Sequence, residues 1–368
     1  MRFAEFTKEW EISTIGKTGF FYYGKSAPKW SVDKNAKTPC FRYGQLYTLD
    51  KAKIDVVETY TNIDSSQLTF SRGTEVLVPR VGEDPMDFYK CTYLAIKNVA
   101  IGEMISVYNT NENPHFMSYY FRATMRKKFA RLVEGGNVSN LYYEYLKKIS
   151  IKLPCRDEQK RIVHFFELLD ERITTQSKII NCLESLLKEI SHHYFFGLND
   201  TEIALSKIAD IYQPKTISQS ECSENGTYNV FGANGIIGKF NQYNHDLPQI
   251  CITCRGSTSG NVFMTESYSW ITGNAMVINI DKNLEIVNKT FLYYYLSSMS
   301  FKNIISGSGQ PQIVREPLMK IKIKLPSLEE QLRFEKIINS FANKLQKEKD
   351  ILVLYKKQKA YLLSNMFI

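Results

Sequence analysis

The stretch IKLPSLEEQLRF, residues 323–334, decides how this sequence is organised, because a near copy of it, IKLPCRDEQKRI, occupies residues 151–162. The two copies align at an offset of 172 residues, and the alignment continues without a gap through about 30 further residues. Weaker matches lie upstream: FMSYYF (116–121) with FLYYYL (291–296), and WEISTIG (10–16) with IALSKIA (203–209). Such a repeat predicts a chain that contains one globular region and one long helix, twice over.

Both copies carry the signals of a helix start. The Leu-Pro dipeptide ends the strand before it, because proline lacks the amide hydrogen that a strand needs. Ser327 followed by Glu330 fits a capping box, whereas Cys155 is a weaker cap in the first copy. Beyond these starts, apolar residues alternate at spacings of three and four, which predicts a coiled-coil seam with polar residues in a few positions. The predicted seam residues are Ile162, Phe166, Leu169, Ile173, Gln176, Ile180, Leu183, Leu187, Ile190 and Tyr194, then Phe334, Ile338, Phe341, Leu345, Glu348, Leu352, Tyr355, Lys359, Leu362 and Met366.

A narrow seam on each of two helices favours pairing of the helices with each other, antiparallel if a twofold relates the two halves. The alternative is that each helix packs separately onto its own globular region. These regions combine strand patterns at 74–82, 248–260 and 270–280 with helical patterns at 114–132 and 289–305.

We therefore predict an α+β fold: two mixed α/β domains in a pseudo-twofold repeat, joined by two long antiparallel coiled-coil helices. The predicted segments are 1–150 (first globular domain), 151–198 (central helix), 199–322 (second globular domain) and 323–368 (C-terminal helix).

The composition is that of a folded protein of two or three domains, with 368 residues, 43% of them hydrophobic and 13% aromatic. No apolar run of about 18 residues occurs, and the charged N-terminus argues against secretion, so we expect neither a membrane span nor export. Seven irregularly spaced cysteines indicate reduced thiols and hence the cytoplasm. The net charge of +9 suggests a polyanionic partner, although an ordinary basic surface explains it equally well.

Motifs that would place catalysis in this chain are absent or incomplete. GANGIIGKF (232–240) lacks the spacing and the final hydroxyl residue of a phosphate-binding P-loop, and no G-x-G-x-x-G or Asn/Asp-Pro-Pro-aromatic motif occurs. Glu158 and its neighbours fit the first turn of a helix better than half of a nuclease motif. Cys251 and Cys254 lack further zinc ligands at a usual spacing, and the five histidines have no partnered nucleophile. We therefore predict no catalytic residue, metal or cofactor in this chain.

The chain resembles the specificity (S) subunit of type I restriction-modification systems. The paired EQ-R junctions carry this resemblance, together with RFAEFTKEW (2–10), FGANGIIGKF (231–240), CRGSTSGNV (254–262) and GQPQIVREPLMKIKIKLPSLEEQLRF (309–334). The first copy departs from the pattern at Cys155 and Arg156, and its approach GGNVSN (135–140) replaces GSGQPQ.

The resemblance implies a non-catalytic subunit whose two globular domains are target-recognition domains. Each reads one half of a bipartite, asymmetric site in double-stranded DNA, and the helices set the spacing. The implied partners are two methyltransferase (modification) subunits, which carry S-adenosylmethionine and methylate adenine, and restriction/translocase subunits, which use ATP. Four residues are candidates for fastening a domain to its helix or for docking the methyltransferase: Gln159, Arg161, Gln331 and Arg333.

Candidate DNA contacts follow from residue chemistry. Arginine and lysine favour guanine, asparagine and glutamine favour adenine, and polar turns beside glycine offer amides to phosphate. The candidates are Arg42, Tyr43, Arg72, Arg80 and Lys97 in the first domain, and Asn234, Lys239, Arg255, Ser257, Thr258 and Asn274 in the second. A solvated charge or a turn former explains each of them as well.

Two other functions stay open at this point. A pseudo-symmetric coiled-coil scaffold without DNA specificity explains the helix seam equally well. An enzyme with an unrecognised site, for which the thiol of Cys254 is the candidate, is the second alternative.

Overall fold

The computed structural model describes residues 1–25, 28–217, 221–223, 225–307 and 309–367. Its contacts divide the chain into two compact units, which we call unit 1 (Met1–Gln176 with Ile351–Ile368) and unit 2 (Ser177–Asp350). Unit 1 is therefore discontinuous in sequence, and both long helices contribute residues to each unit. No helix among the described residues has a segment long and apolar enough to cross a bilayer.

The helices include two of about 40 residues. Helix α2 (Pro114–Thr124) begins where the Asn113 side chain accepts hydrogen bonds from two backbone amides, and helix α6 (Lys289–Ser298) begins where the Asn288 side chain accepts one from the Phe291 amide. The segment expected to be one helix over 114–132 is interrupted at Met125, so that it forms two helices. The helices are α1 (Tyr43–Leu49), α2 (Pro114–Thr124), α3 (Arg126–Ala130), α4 (Tyr143–Leu146), α5 (Arg156–Phe196), α6 (Lys289–Ser298), α7 (Arg315–Met319) and α8 (Leu328–Met366).

Unit 1 contains a five-stranded sheet in the order β2-β11-β7-β9-β4 and a four-stranded sheet in the order β5-β3-β10-β6. The strands of the first half of the chain are β1 (Glu11–Thr14), β2 (Gly19–Tyr23), β3 (Thr38–Phe41), β4 (Lys53–Ile54), β5 (Tyr60–Thr61), β6 (Phe70–Arg72), β7 (Glu75–Pro79), β8 (Val81–Gly82), β9 (Thr92–Leu94), β10 (Lys97–Ile101), β11 (Ile105–Thr110), β12 (Ser139–Asn140) and β13 (Ser150–Leu153).

Unit 2 repeats this topology in a reduced form. Its four-stranded sheet, in the order β15-β21-β18-β19, reproduces β2-β11-β7-β9, and its parallel pair β16–β20 reproduces the parallel pair β3–β10. The strands of the second half are β14 (Glu202–Ala204), β15 (Asp210–Tyr212), β16 (Tyr228–Gly232), β17 (Gly235–Phe240), β18 (Ile250–Thr253), β19 (Val262–Met264), β20 (Trp270–Ile271), β21 (Ala275–Asn279) and β22 (Lys322–Lys324).

One expected strand is two strands. The segment 270–280 breaks at Thr272–Asn274, and its halves join different sheets: β20 pairs in parallel with β16, whereas β21 pairs antiparallel with β18. Gly273 lies at the break and allows Thr216 to approach the chain closely, because a Cβ there would lie 2.6 Å from the Thr216 hydroxyl.

Each long helix follows a short strand that pairs with the opening strand of its unit. Strand β13 pairs antiparallel with β1, and β22 pairs antiparallel with β14. The predicted capping box is confirmed, since the Ser327 hydroxyl accepts from the Glu330 amide at 3.3 Å and the Glu330 carboxylate accepts from the Ser327 amide at 3.2 Å. The start of α8 is therefore built by residues of the repeated stretch itself.

The seam predicted along the long helices is the face that they bury. Ile162, Phe166 and Leu169 of α5 lie in the unit 1 core with Leu362 and Met366 of α8. In unit 2, Phe334 and Ile338 of α8 lie in the core with Leu187 and Ile190 of α5 packed against it. Because the start of each helix meets the end of the other, the two helices pair antiparallel, as predicted.

A phenylalanine at the end of each long helix completes the core of the unit where the other helix begins. Phe367 packs on Phe116 and Tyr120 of α2, with ring centroids 5.6 and 6.0 Å away. Phe195, 172 positions earlier, packs on Phe291 and Tyr295 of α6 at 5.4 and 4.9 Å. The tyrosines are matched too, because the Tyr120 hydroxyl accepts from the Lys152 amide and the Tyr295 hydroxyl from the Lys324 amide, both at 3.0 Å.

Candidate nucleic-acid interface and helix junctions

Gln159 and Gln331, which we call the junction glutamines, are buried at the first turns of α5 and α8. The Gln159 Oε1 accepts from the Asn113 amide at 3.1 Å, while its Nε2 donates to the Glu112 carboxylate at 2.7 Å and to the Pro154 carbonyl at 3.0 Å. Each junction glutamine thus joins a long helix to the N-cap of the helix that packs against it.

Gln331 makes an equivalent set of contacts in unit 2, except that a backbone carbonyl takes the place of the Glu112 carboxylate. Its Oε1 accepts from the Asn288 amide at 2.8 Å, and its Nε2 donates to the Ile286 and Pro326 carbonyls at 3.0 and 2.8 Å. The sequence analysis missed the capping residues Asn113 and Asn288. The signal for them was available, since each precedes a helical pattern and the two lie 175 residues apart.

The junction arginines differ from the glutamines because they are exposed. The Arg161 guanidinium lies 3.7 Å from the Glu5 carboxylate and over the Phe3 ring, and Arg333 pairs with Glu329 one helical turn away. Surface ion pairs of this kind contribute little to stability. Their side chains are therefore accessible to a partner.

In unit 1 the structure brings two of the five candidate DNA contacts together. Arg72 ends β6, Lys97 begins β10, and the two are opposite each other in the antiparallel pairing of those strands. Both side chains are exposed. Arg42 and Tyr43 lie beyond the other end of β3, at the start of α1. Arg80 follows β7 in the other sheet, where its guanidinium lies 4.2 Å from the centre of the Tyr23 ring.

In unit 2 the turn between β16 and β17 meets the loop after β18. The Thr258 hydroxyl donates to Asn234 Oδ1 at 2.5 Å, and the neighbouring Ser257 and Arg255 are exposed. Asn274 also adjoins this loop, since its carbonyl accepts from the Cys254 amide at 3.1 Å. Lys239 lies apart, near the far end of β17. Five of the six candidates in unit 2 therefore gather around one pair of loops.

A hairpin beside these loops is built alike in both units. The Glu134 and Asn140 amides and carbonyls bond reciprocally at 2.9 and 2.7 Å, and those of Ser306 and Gln312 do so at 2.9 and 2.8 Å. Gly135 and Gly307 both have positive φ, and a Cβ on either would lie within 2.6 Å of a carbonyl oxygen. The sequence difference between GGNVSN and GSGQPQ thus leaves this hydrogen-bond pattern unchanged.

The groups considered for catalysis have structural surroundings. Cys254 is buried, its sulphur accepts from Gln213 Nε2 at 3.1 Å, and burial raises the pKa of its thiol, which disfavours the nucleophilic thiolate. Glu158 is buried against Arg2, whose Nη2 lies 2.6 Å away. Cys251 is buried like Cys254, whereas Cys155 and Cys182 are exposed. Within the described ranges, no group of three or more His, Cys, Asp or Glu side chains is placed to hold a metal.

Comparison with known proteins places this arrangement in a family. The model of the type I restriction modification DNA specificity domain matches residues 7–185 and again residues 200–354. The MjaVIII specificity subunit of a type I restriction enzyme from Methanocaldococcus jannaschii is 23% identical over 402 residues, which cover 95% of this chain and 91% of the relative. The EcoprrI specificity subunit from Escherichia coli is 28% identical over 118 residues, 32% of this chain and 29% of the relative.

Two solved structures share the fold. The S subunit of a type I restriction-modification system from M. genitalium superposes with a TM-score of 0.61 at 18% identity, covering 98% of this chain and 96% of that one. A chain from a study of complex assembly and conformational transition of the type I R-M system gives a TM-score of 0.62 at 15% identity, with 98% of both chains covered.

The chain belongs to the type I restriction modification DNA specificity domain family and carries that domain twice. Because the family matches fill most of the chain, it is a specificity subunit of the type I restriction-modification class, as the sequence motifs predicted.

Proposed function

We propose that this subunit reads a bipartite, asymmetric site in double-stranded DNA, with unit 1 directing one half-site and unit 2 the other. The observation that carries the proposal is the duplication: the two units share a sheet order and a helix junction, yet they present different side chains on their loops. Different loops predict different half-sites, and hence a target that is not a palindrome. The long helices, about 60 Å each at 1.5 Å per residue, set the half-site spacing.

The chemistry is assigned to partners. Two methyltransferase subunits carry S-adenosylmethionine and methylate adenine, restriction/translocase subunits use ATP, and this chain supplies no catalytic group. The exposed Arg161 and Arg333, at equivalent places on the two long helices, fit docking of two identical partners. The proposed location is the cytoplasm, which holds the double-stranded DNA target.

Methylome mapping tests the proposal. A host that carries this gene with its methyltransferase gene is expected to show adenine methylation at one bipartite motif, and deletion of this gene should abolish that motif. Exchange of residues 1–150 for those of another family member should change one half of the motif and leave the other half intact. Methylation that is unaffected by the deletion would disprove the proposal.

A further inference from the structure

The turn that connects β2 to β3 presents a tryptophan to solvent. The side chain of Trp30 is 75% exposed, although tryptophan is a residue that folded proteins usually bury. Hydrogen bonds fix the residue that follows this tryptophan. The Thr61 hydroxyl donates to the buried Ser31 hydroxyl at 2.9 Å, and the Asn62 amide donates to the Ser31 carbonyl at 3.1 Å. The exposed ring therefore stands on a fixed backbone.

Three lysines lie within seven residues of this tryptophan in the sequence. Lys29, Lys34 and Lys37 are exposed, and none of the three forms an ion pair with another described residue. Residues 28–37 contain these three lysines and one acid, Asp33, whose carboxylate accepts from the Asn35 amide at 2.9 Å. The turn therefore carries a net positive charge.

The sheet extends this charge into a row. Strands β3 and β10 run parallel with Cys40 opposite Ala100, and Lys37 and Lys97 each precede that pair, at the same end of the sheet. Arg72 lies opposite Lys97 on β6, and an irregularity of β10 separates this pair from the Ala100–Phe70 pair. Because the sheet order is β3-β10-β6, the three cations lie at this end, on or just before consecutive strands. We call Lys29, Trp30, Lys34, Lys37, Arg72 and Lys97 the Trp30 ridge.

We infer that the Trp30 ridge binds the backbone of duplex DNA, with its cations on phosphates and the Trp30 ring packed on a sugar or an exposed base edge. Phosphate contacts supply most of the affinity of DNA-binding proteins, and an aromatic ring adds contact that does not depend on salt. The inference rests on the proposed function and adds to it a surface of unit 1 that positions the DNA. It also assigns more of the phosphate binding to unit 1 than to unit 2. Residues 1–150 carry 21 basic and 16 acidic groups, whereas residues 199–320 carry 9 basic and 10 acidic groups.

The test measures DNA affinity against salt for the full chain assembled with its methyltransferase subunits, on a duplex that contains the mapped motif. Replacement of Lys29 and Lys37 by glutamine should reduce the slope of log K against log salt by about 2, because each phosphate contact contributes about 0.9. Trp30→Ala should weaken binding roughly fivefold with the slope unchanged, because it removes an apolar contact of about 40 Å² that carries no charge. Trp30→Phe, which keeps a ring, should lose less.

The matched control replaces Lys127 and Lys128, two exposed lysines of α3 in the same unit, and should leave the slope within about 0.5 of wild type. Wild-type affinity and slope in all ridge variants would overturn the inference. So would weakened assembly with the methyltransferase together with unchanged DNA binding, because the ridge would then face protein. The dependence of affinity on salt can also be measured on a duplex of random sequence, because phosphate contacts do not depend on sequence. The inference can therefore hold or fail independently of the bipartite motif.

Discussion

The two helix junctions place their residues alike but use different chemistry around them. In unit 1 the packing of α2 on α5 includes ionisable groups: His115 Nδ1 lies 3.2 Å from the Glu167 carboxylate, which Lys53 also approaches at 3.1 Å. Nearby, the Tyr119 hydroxyl donates to Asp170 at 2.7 Å, and Lys359 of α8 pairs with the same carboxylate.

Unit 2 uses a smaller and mostly neutral set at the corresponding place. The Glu335 carboxylate accepts from Asn288 Nδ2 at 2.8 Å and from the Thr290 hydroxyl at 2.6 Å. Thr290 lies 175 residues after His115, the same offset that relates the two N-caps. The comparison shows that backbone hydrogen bonds and aromatic packing define the junction, and that its charges are free to differ.

The largest effect is expected from removing the phenylalanine that ends each long helix. Phe367→Ala and Phe195→Ala each leave a cavity in a buried aromatic cluster, and each should lower the free energy of unfolding by about 3–5 kcal/mol. Hydrogen exchange should locate the loss, in α2 for Phe367→Ala and in α6 for Phe195→Ala. Equal loss of protection in both helices from either variant would contradict the division into two units.

The second effect concerns His115, an ionisable residue of unit 1 at the position where unit 2 has Thr290. Burial is the main reason that the pKa of His115 is lowered to about 4; Glu167 opposes this shift and Lys53 adds to it, so the folded state holds the imidazole neutral. The unfolded chain binds the proton near its ordinary pKa of 6.5, so this contribution to stability is complete above about pH 6.5 and is lost progressively toward pH 4. A shift of this size corresponds to about 3 kcal/mol.

Urea unfolding between pH 7 and pH 4 measures this loss, with His115→Gln as the control. The wild type should lose more stability than the variant across that window, and the extra loss should be seen as earlier exchange of α2 amides. Parallel pH profiles for the two proteins would show that folding leaves the pKa of His115 unchanged.

The third effect should be equal in the two units. Gln159→Ala removes the acceptor of the Asn113 amide, and Gln331→Ala removes that of the Asn288 amide, at a cost of about 1–3 kcal/mol each in chemical unfolding. If the junction glutamines hold each unit on its helix, each variant should also relax the sequence preference at one half-site only, the one that its own unit reads. Methylation of the mapped motif and of its single-base variants measures this preference. A loss of methyltransferase assembly with unchanged stability would instead make them docking residues.

The smallest effect concerns the caps of the long helices. Ser327→Ala should destabilise by about 1 kcal/mol, whereas Cys155→Ser should stabilise by up to about 1 kcal/mol, because it supplies the cap that α5 lacks. Thermal unfolding of the two variants measures both signs. A destabilised Cys155→Ser would show that the different partner of Glu158, the Arg2 side chain, blocks a capping box in the first copy.

The repeat and the seam could be predicted because they depend on spacing alone. The predicted polar seam residues Gln176 and Glu348 are indeed buried with their apolar neighbours. The role of Phe195 could not be predicted, since adjacent aromatic residues at 194–196 give no indication of which one faces inward. The same limit applies to Glu158 and Glu330, which occupy equivalent positions but have different partners, because one neighbour comes from the far N-terminus.

The candidate DNA contacts likewise divide into those that local sequence could predict and those that depend on the three-dimensional fold. Asn234, Ser257 and Thr258 were chosen for turn chemistry, and turns are local, so the structure places them together. Trp30 was not chosen, because composition favours burial for tryptophan and only the three-dimensional fold shows its exposure. Which of these residues touch DNA stays a prediction.

The discontinuity of unit 1 has a consequence for biosynthesis. Leu362, Met366 and Phe367 belong to its core, yet they leave the ribosome after the whole of unit 2. The nascent first half therefore has an open apolar groove between α2 and α5 for as long as residues 177–350 are being translated. At 5–20 residues per second this interval lasts roughly 9–35 s, during which chaperones or a neighbouring nascent chain could occupy the groove.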